Sequence, residues 1–225
     1  MTAAAPLDAG GREALEKVLA LLAEERASVS SVTAPARAWR VHVEDSLTGL
    51  EVDELRAAGR IADVGSGAGF PGLALAVALP QARVDLIESI GRKCAFVERA
   101  IEAAGIGNAR VLCARSEELA AAAGRESYDV VTARAVGRLS TLAELASPLL
   151  RDGGTLVAWK GRRDAEEEEQ LARAAARLAM RPVAVLEVGA RAGSEHRHLH
   201  VVRKAGATPA ELPRRPGMAK KRPRG

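Results

Sequence analysis

From Arg60 onward, short β-branched apolar runs alternate with helical stretches: RIADV, ARVDLIES, ARVLCAR, YDVVTARA and GGTLVAWKG, with helical patterns centred near residues 75, 97, 118, 144 and 172. Strands that read as continuous apolar runs are buried on both faces, and that requires helices above and below them. The pattern predicts an α/β fold with a doubly wound, mostly parallel sheet and right-handed crossovers. Two further extended runs, RPVAVLEVG and HRHLHVVRK, are joined by the short loop ARAGSE and predict an antiparallel hairpin at the sheet edge. Upstream, GREALEKVLALLAEERA puts Leu15, Val18, Leu19 and Leu22 on one helical stripe. Together with the irregular stretch through Trp39 it makes a helical cap too small to hold a core of its own. The expected organisation is a cap over residues 1–58 with a disordered start, an α/β domain over 59–204 and a basic flexible tail over 205–225.

Charge is spread unevenly along this plan. From Lys204 onward seven Lys or Arg stand against one acid, Glu211, so the net charge of +4 resides in the tail and the preceding residues are slightly negative. An end such as LPRRPGMAKKRPRG suits an arm that neutralises phosphates, or simply a solvated terminus. Cys94 in a helical pattern and Cys113 in a strand pattern suggest neither a disulfide framework nor a metal site. The opening MTAAAPLDAGG lacks a basic segment followed by an apolar one, and the run LALAVALP is far short of the roughly 20 residues that span a bilayer. A soluble cytoplasmic protein in a reducing compartment is expected. The acids of DAEEEEQLARAAARLAM read as helix-dipole chemistry and solvation. His196, His198 and His200 share one strand face, with no acid or cysteine cluster to complete a metal site.

The motif that carries chemistry is IADVGSGAGFPG, at the exit of the first strand of the α/β region. In an open α/β sheet a ligand lies beyond the carboxyl ends of the strands, next to the first one. GAGFPG satisfies G-x-G-x-x-G, but it starts two residues late for a dinucleotide fingerprint, and Pro71 intrudes at the helix start. The better parse is Asp63 followed by Gly65, Gly67 and Gly69 at alternate positions. Bare backbone at Gly65 and Gly67 lets a ligand lie close, and the Asp63 carboxylate can hold an ammonium, directly or through water. The second strand ends in Glu88, where a carboxylate can accept both ribose hydroxyls. That combination suits an amino acid joined to a nucleoside, although Glu88 alone would serve a dinucleotide as well.

This loop, the acid after strand two and the terminal hairpin resemble the class I methyltransferases, Rossmann-like enzymes that use S-adenosyl-L-methionine. More narrowly, DVGSGAGFPGLALA, LIESIGRKCAFVE, ARSEEL, YDVVTARAVGRLSTL, WKG and LPRRPGMAKKRP follow the order and spacing of the RsmG (GidB) family, which methylates N7 of a guanine in 16S ribosomal RNA. His42, Asp45 and Ser46 of HVEDSL match that family's upstream element, and the resemblance covers most of residues 40–222. It implies cofactor contacts at Gly65 and Phe70, at Ser116 and Glu117 after strand three, and at Arg134 after strand four. It also implies 16S rRNA or the small ribosomal subunit as partner. The chain departs from the family pattern at SSVTA, at Val41 with Arg40 one place earlier, and at Leu212 before PRRPG.

Guanine N7 carries an in-plane lone pair and needs no proton removed, so no catalytic acid, base or nucleophile is expected. Arg138, Lys160, Arg214 and Arg215 are the candidates for RNA phosphates. With aromatics at 2%, base stacking can hardly drive recognition, and affinity should lean on phosphates and RNA shape. Other classes stay open from the residues alone. A methyltransferase for another RNA, a protein or a small molecule would keep the same loop, as would a nucleotide-binding protein without catalysis, and an NAD dehydrogenase comes third.

Overall fold

β1 (Arg60–Val64) lies in the middle of the sheet and is buried at every position after the first. In the computed structural model, which describes residues 7–25, 30, 32, 34–189 and 196–224, β1 pairs in parallel with β2 (Arg83–Glu88) and β4 (Tyr128–Arg134). β3 (Ala109–Cys113) and β5 (Leu150–Lys160) extend the two sides. β7 (His198–Lys204) runs antiparallel between β5 and the edge strand β6 (Met180–Glu187), giving the order β3-β2-β1-β4-β5-β7-β6. The parallel sheet closed by a hairpin is therefore formed, and its strand order reverses between β1 and β4, where such sheets bind ligands. The hairpin loop ARAGSE and the start of the chain lie outside the described residues. β6 carries Pro182 and a register shift between Pro182 and Ala184, features that discourage further pairing at an edge.

Alternation along the strands sends Ile61, Leu86, Val130 and Val157 to one face and Ala62, Ile87, Val131 and Leu156 to the other. The first face is covered by α1 (Ala9–Glu24), α5 (Gly72–Ala78) and α6 (Gly91–Ala104). Leu15, Val18, Leu19 and Leu22 of α1 join the core there, and Asp8 caps the helix by accepting from Gly11 N–H at 2.6 Å. Between α1 and β1 the chain makes short turns: α2 (Pro35–Ala38), a π-helical segment Trp39–Glu44, α3 (Asp45–Leu47), a 3-10 turn Thr48–Glu51 and α4 (Asp53–Arg56). Trp159 of β5 pins them. Its buried indole N–H donates to Asp45 O at 2.8 Å and Thr48 Oγ1 at 3.2 Å, and its ring leaves no room for a Cβ at Gly49.

The second face carries α7 (Ser116–Ala120), α8 (Leu139–Ala146) and α9 (Ala165–Ala175). Not all the acids at the start of α9 are solvated. Glu167 is buried, and its Oε1 accepts from Leu139 N–H and Lys160 Nζ, both at 2.7 Å, tying α9 to the start of α8.

The C-terminal segment departs furthest from expectation, for it is packed against this face rather than free. Lys204, counted with the basic tail, is buried and donates to Ser147 O, Leu150 O and Thr208 Oγ1. Leu212 is buried in the second core, and its carbonyl accepts from Arg125. Arg214 makes a two-pronged ion pair with the buried Glu144 at 2.5 and 2.6 Å, and the segment ends in the short helix α10 (Met218–Lys221). Arg214 finds its counter-charge 70 residues away in sequence, which no reading of local composition reveals.

The cysteine reading is also corrected. Cys94, early in α6, and Cys113, the last residue of β3, form a disulfide, with Cα atoms 5.8 Å apart. Cys113 pairs in register with Glu88, and Cys94 Sγ lies 3.3 Å from the Glu88 carbonyl oxygen, so a helix start and a strand end meet at one point.

Candidate cofactor and acceptor site

Two cavities open at the carboxyl end of the sheet, on either side of the glycine loop, and Gly65 lines both. The loop keeps positive φ at Gly65 (69°) and Gly67 (60°), a backbone that side-chain-bearing residues rarely adopt. A Cβ built on Gly67 would meet only Gly65 O, at 3.9 Å, so the space over the loop is open to a ligand. Gly72 is small for a different reason: a Cβ there would lie 2.8 Å from Asp63 Oδ2.

The first cavity, about 320 Å³, is walled by Val64, Ile87 and Val136, by Glu88 and Ser89 after β2, and by residues 114–117 after β3. Glu88 is held by three backbone N–H groups: Gly67 to Oε2 at 3.1 Å, and Ser89 and Ile90 to Oε1 at 2.7 and 2.9 Å. Ser116 Oγ–H donates to Glu117 Oε2 at 3.1 Å, while Glu117 Oε1 accepts from Gly217 N–H at 2.7 Å. Gly217, Ala219, Lys220 and Lys221 complete this cavity, none of them apparent as site residues from sequence.

The second cavity, about 490 Å³, lies between the loop and the N-terminal segment and is lined by His42, Asp45, Ser66, Phe70, Lys93, Arg134 and Arg197, among others. His42 Nε2 lies 3.1 Å from Val32 O, which only accepts, so Nε2 bears the proton. Burial lowers the pKa of the ring and so favours its neutral form, and its Nδ1 is a buried acceptor with no hydrogen-bond partner among the described residues. Ser66 Oγ is another such buried atom beside the loop. The signal for His42 was present in HVEDSL, whose spacing puts His42, Asp45 and Ser46 on one helical face.

Asp63, Gly67, Phe70, Arg134, Lys160 and Arg214 sit differently from the sequence reading, Gly67 and Phe70 lining the second cavity and not the first. Asp63 lines neither cavity. Its position on the Ile61 face turns it beneath the loop, where Oδ2 accepts from Gly72 N–H and Oδ1 from Thr132 Oγ1–H, both at 2.9 Å. Burial raises its pKa to about 6, against the opposing pull of these hydrogen bonds. It supports the loop rather than meeting an ammonium. Arg134 lines the second cavity, not the first, and Nη1 donates to Val41 O (3.0 Å) and Asp45 Oδ2 (2.7 Å). Arg197 Nε stands 2.7 Å from Asp45 Oδ1, without the alignment of a hydrogen bond, so one buried carboxylate faces two guanidiniums. Of the phosphate candidates, Lys160 donates to Glu167 and Gly137 O, and Arg214 is spent on Glu144. Arg138 is exposed with one bond to Gln170, and Arg215 is exposed.

No group of three His, Cys, Asp or Glu converges on a metal-sized site among the described residues, and no described helix is long and apolar enough to cross a membrane. His198 Nδ1 meets Gly161 O at 2.9 Å and His200 is buried 4.0 Å from Glu168.

A seven-stranded sheet in this order, a glycine loop of positive φ after β1 and a carboxylate held open after β2 define a class I S-adenosylmethionine-dependent methyltransferase. Solved structures agree on the fold: a SAM-dependent methyltransferase from Aquifex aeolicus (TM-score 0.59, 17% identity, 80% of this chain and 99% of that one) and Aeropyrum pernix fibrillarin with natively bound S-adenosyl-L-methionine (TM-score 0.55, 14% identity, 71% and 72%). Residues 12–200 match the GidB family, described as rRNA small subunit methyltransferase G. Proteins named ribosomal RNA small subunit methyltransferase G from Rubrobacter xylanophilus and Gloeobacter violaceus are 44% and 36% identical, covering 96% and 92% of this chain and 88% and 83% of their own. The chain belongs to this family of S-adenosylmethionine-dependent rRNA methyltransferases.

The residues fit that cofactor. The open cradle at Gly67, which lines the second cavity beside the shared Gly65, admits a ligand against bare backbone, and Glu88 presents a carboxylate with acceptor capacity toward the first cavity.

Proposed function

We propose that this chain methylates N7 of a single guanine in 16S rRNA, with the adenosyl part of the cofactor in the first cavity and the acceptor base in the second. The observation that carries this reading is the shared position of Gly65, which puts the two cavities in contact at one point of bare backbone. When bound, S-adenosylmethionine supplies an electrophilic methyl group on its sulfonium sulfur. Glu88 accepts from the ribose hydroxyls, Ser116 and Glu117 border the adenine edge, and Val64, Ile87 and Val136 exclude water. Gly65 and Gly67 set the depth of the ligand, while Asp63 holds the loop from below.

On the acceptor side, Phe70 and the neutral ring of His42 offer a flat wall, and Lys93, Arg134 and Arg197 make the surroundings positive for a nucleotide. Arg138 and Arg215 extend this charge at the rim. Because N7 attacks with its own lone pair, catalysis needs only alignment and a dry site, a proximity effect worth up to about 7 to 11 kcal/mol. The test is transfer of labelled methyl groups to small ribosomal subunits that lack the modification, followed by chemical cleavage specific for N7-methylguanine. Label at one guanine supports the reading. Label elsewhere, or none despite tight binding of S-adenosylhomocysteine, refutes the acceptor assignment.

A further inference from the structure

The C-terminal segment was expected to be a phosphate-neutralising arm or a solvated terminus, yet it reaches the first cavity. Gly217, Ala219, Lys220 and Lys221 form the wall that faces Glu88 and residues 114–117. We propose that residues 212–221 are a built part of the cofactor site, closing it over the adenine edge, so that cofactor binding and ordering of this segment are coupled. This rests on the reading that the first cavity holds the adenosyl group.

Four contacts seat the segment on the second face, two of them on α8. Leu212 is buried among the residues that pack on α8 and α9. Arg214 holds Glu144 of α8 with two hydrogen bonds, and Glu144 has only 3% of its surface exposed. A buried carboxylate of that kind is costly without its partner, so the pair fixes where the segment crosses the helix. Thr141 Oγ1–H donates to Ala219 O at 3.3 Å, and Gly217 N–H donates to Glu117 Oε1 at 2.7 Å. The last contact matters most, because Glu117 is itself a cavity residue. Its Oε1 is engaged by the segment, and its Oε2 is aligned by Ser116, so the segment sets the orientation of a carboxylate at the adenine edge. Gly217 adopts φ +80°, which gives its N–H that direction.

The same chain stretch therefore has two sides. One meets the cofactor cavity, while Arg214, Arg222 and Arg224 on the other border a cleft with Arg173 and Arg177 of the α9 region. An arm that served RNA alone would have no effect on the cofactor when RNA is absent, and this difference makes the proposal testable.

The experiment is calorimetric titration of the full chain and of Gly217→Pro with S-adenosylhomocysteine, without RNA. It is joined to hydrogen exchange of the unaltered chain with and without that ligand. Proline removes the N–H that Glu117 accepts and cannot adopt φ +80°. Expected results are at least about tenfold weaker binding in the variant and slower exchange across 212–221 when the unaltered chain is saturated. Equal affinity in a folded variant overturns the proposal, and so does unchanged exchange in this segment, a readout that stands even where the variant fails to fold. If the unaltered chain itself does not bind the ligand, the cofactor reading of the first cavity falls instead. Binding accompanied by protection confined to residues 65–70, 88 and 114–117 keeps that reading and sinks only the role of the segment.

Discussion

The ring of His42 lies nearly parallel to that of Phe70, at 19°, with centroids 5.1 Å apart. One residue comes from the N-terminal segment and the other from the glycine loop, so the wall of the second cavity is shared between them. His42→Ala removes half of it. The expected outcome is a KM for the RNA substrate raised about tenfold or more, with S-adenosylhomocysteine affinity changed less than about threefold. Steady-state kinetics beside calorimetry decides it, and an equal loss in both would place His42 in the cofactor site.

Gly67 and Gly72 are separated by five positions and are small for opposite reasons. Gly67→Ala meets open space, so its stability cost is the backbone term alone, about 1 kcal/mol, while the added methyl occupies the ligand's approach and weakens cofactor binding by more than about tenfold. Gly72→Ala runs into Asp63 and Leu86 within 2.9 Å and should destabilise by about 1–3 kcal/mol. Urea unfolding and ligand titration of the two variants should rank them in opposite orders.

Glu88, proposed above to hold the ribose hydroxyls, also accepts three backbone N–H bonds. Glu88→Gln keeps the shape with one fewer acceptor oxygen, whereas Glu88→Ala leaves all three backbone donors without their acceptor. Affinity for S-adenosylhomocysteine should fall by about tenfold for Gln and by about a hundredfold for Ala, the size of charge-assisted hydrogen bonds. Binding by Ala as tight as wild type would move the ribose elsewhere.

Asp63 has a pH signature. Burial raises its pKa from 3.8 to about 6 in the folded protein, so between those values the folded state keeps a proton that the unfolded chain gives up. The contribution to stability is greatest below pH about 4 and is lost as pH rises through about 6, a decline on the order of 2 to 3 kcal/mol. Asp63→Asn should flatten this part of the stability profile between pH 4 and 7. The same slope in both proteins would show that Asp63 does not titrate there.

How much of this was legible beforehand differs element by element. The strands were readable because a parallel sheet covered on both faces must be apolar at nearly every position, and Val130, Val131 and Ala133 show it. Glu88 was readable from its place at the end of β2. Asp63 was visible as an acid, but its role depends on strand parity: Ile61, Asp63 and Thr132 share the face toward α5, so the carboxylate points under the loop. The fold of the C-terminal segment and the Cys94–Cys113 bond depend on partners that only the tertiary structure brings together. Composition describes Arg214 and Lys204 as solvated cations, whereas Glu144 and the Ser147 and Leu150 carbonyls make them anchors.

Lys204→Met tests that statement directly. Burial lowers the pKa of the ammonium, and its loss leaves two carbonyls and the Thr208 hydroxyl without their donor. Stability should drop by about 1–3 kcal/mol in chemical denaturation, and a neutral result would mean that the cavity tolerates a methionine in full.

Trp159 joins the short turns of the N-terminal segment to β5 at the edge of the second cavity, and the chain has only one other tryptophan, the half-buried Trp39. With Trp39→Phe, ultraviolet excitation would report from this joint alone. A blue emission marks the segment seated on the sheet, a red shift marks it lifted away, and the colour of the light becomes a label-free gauge of whether the acceptor side is assembled.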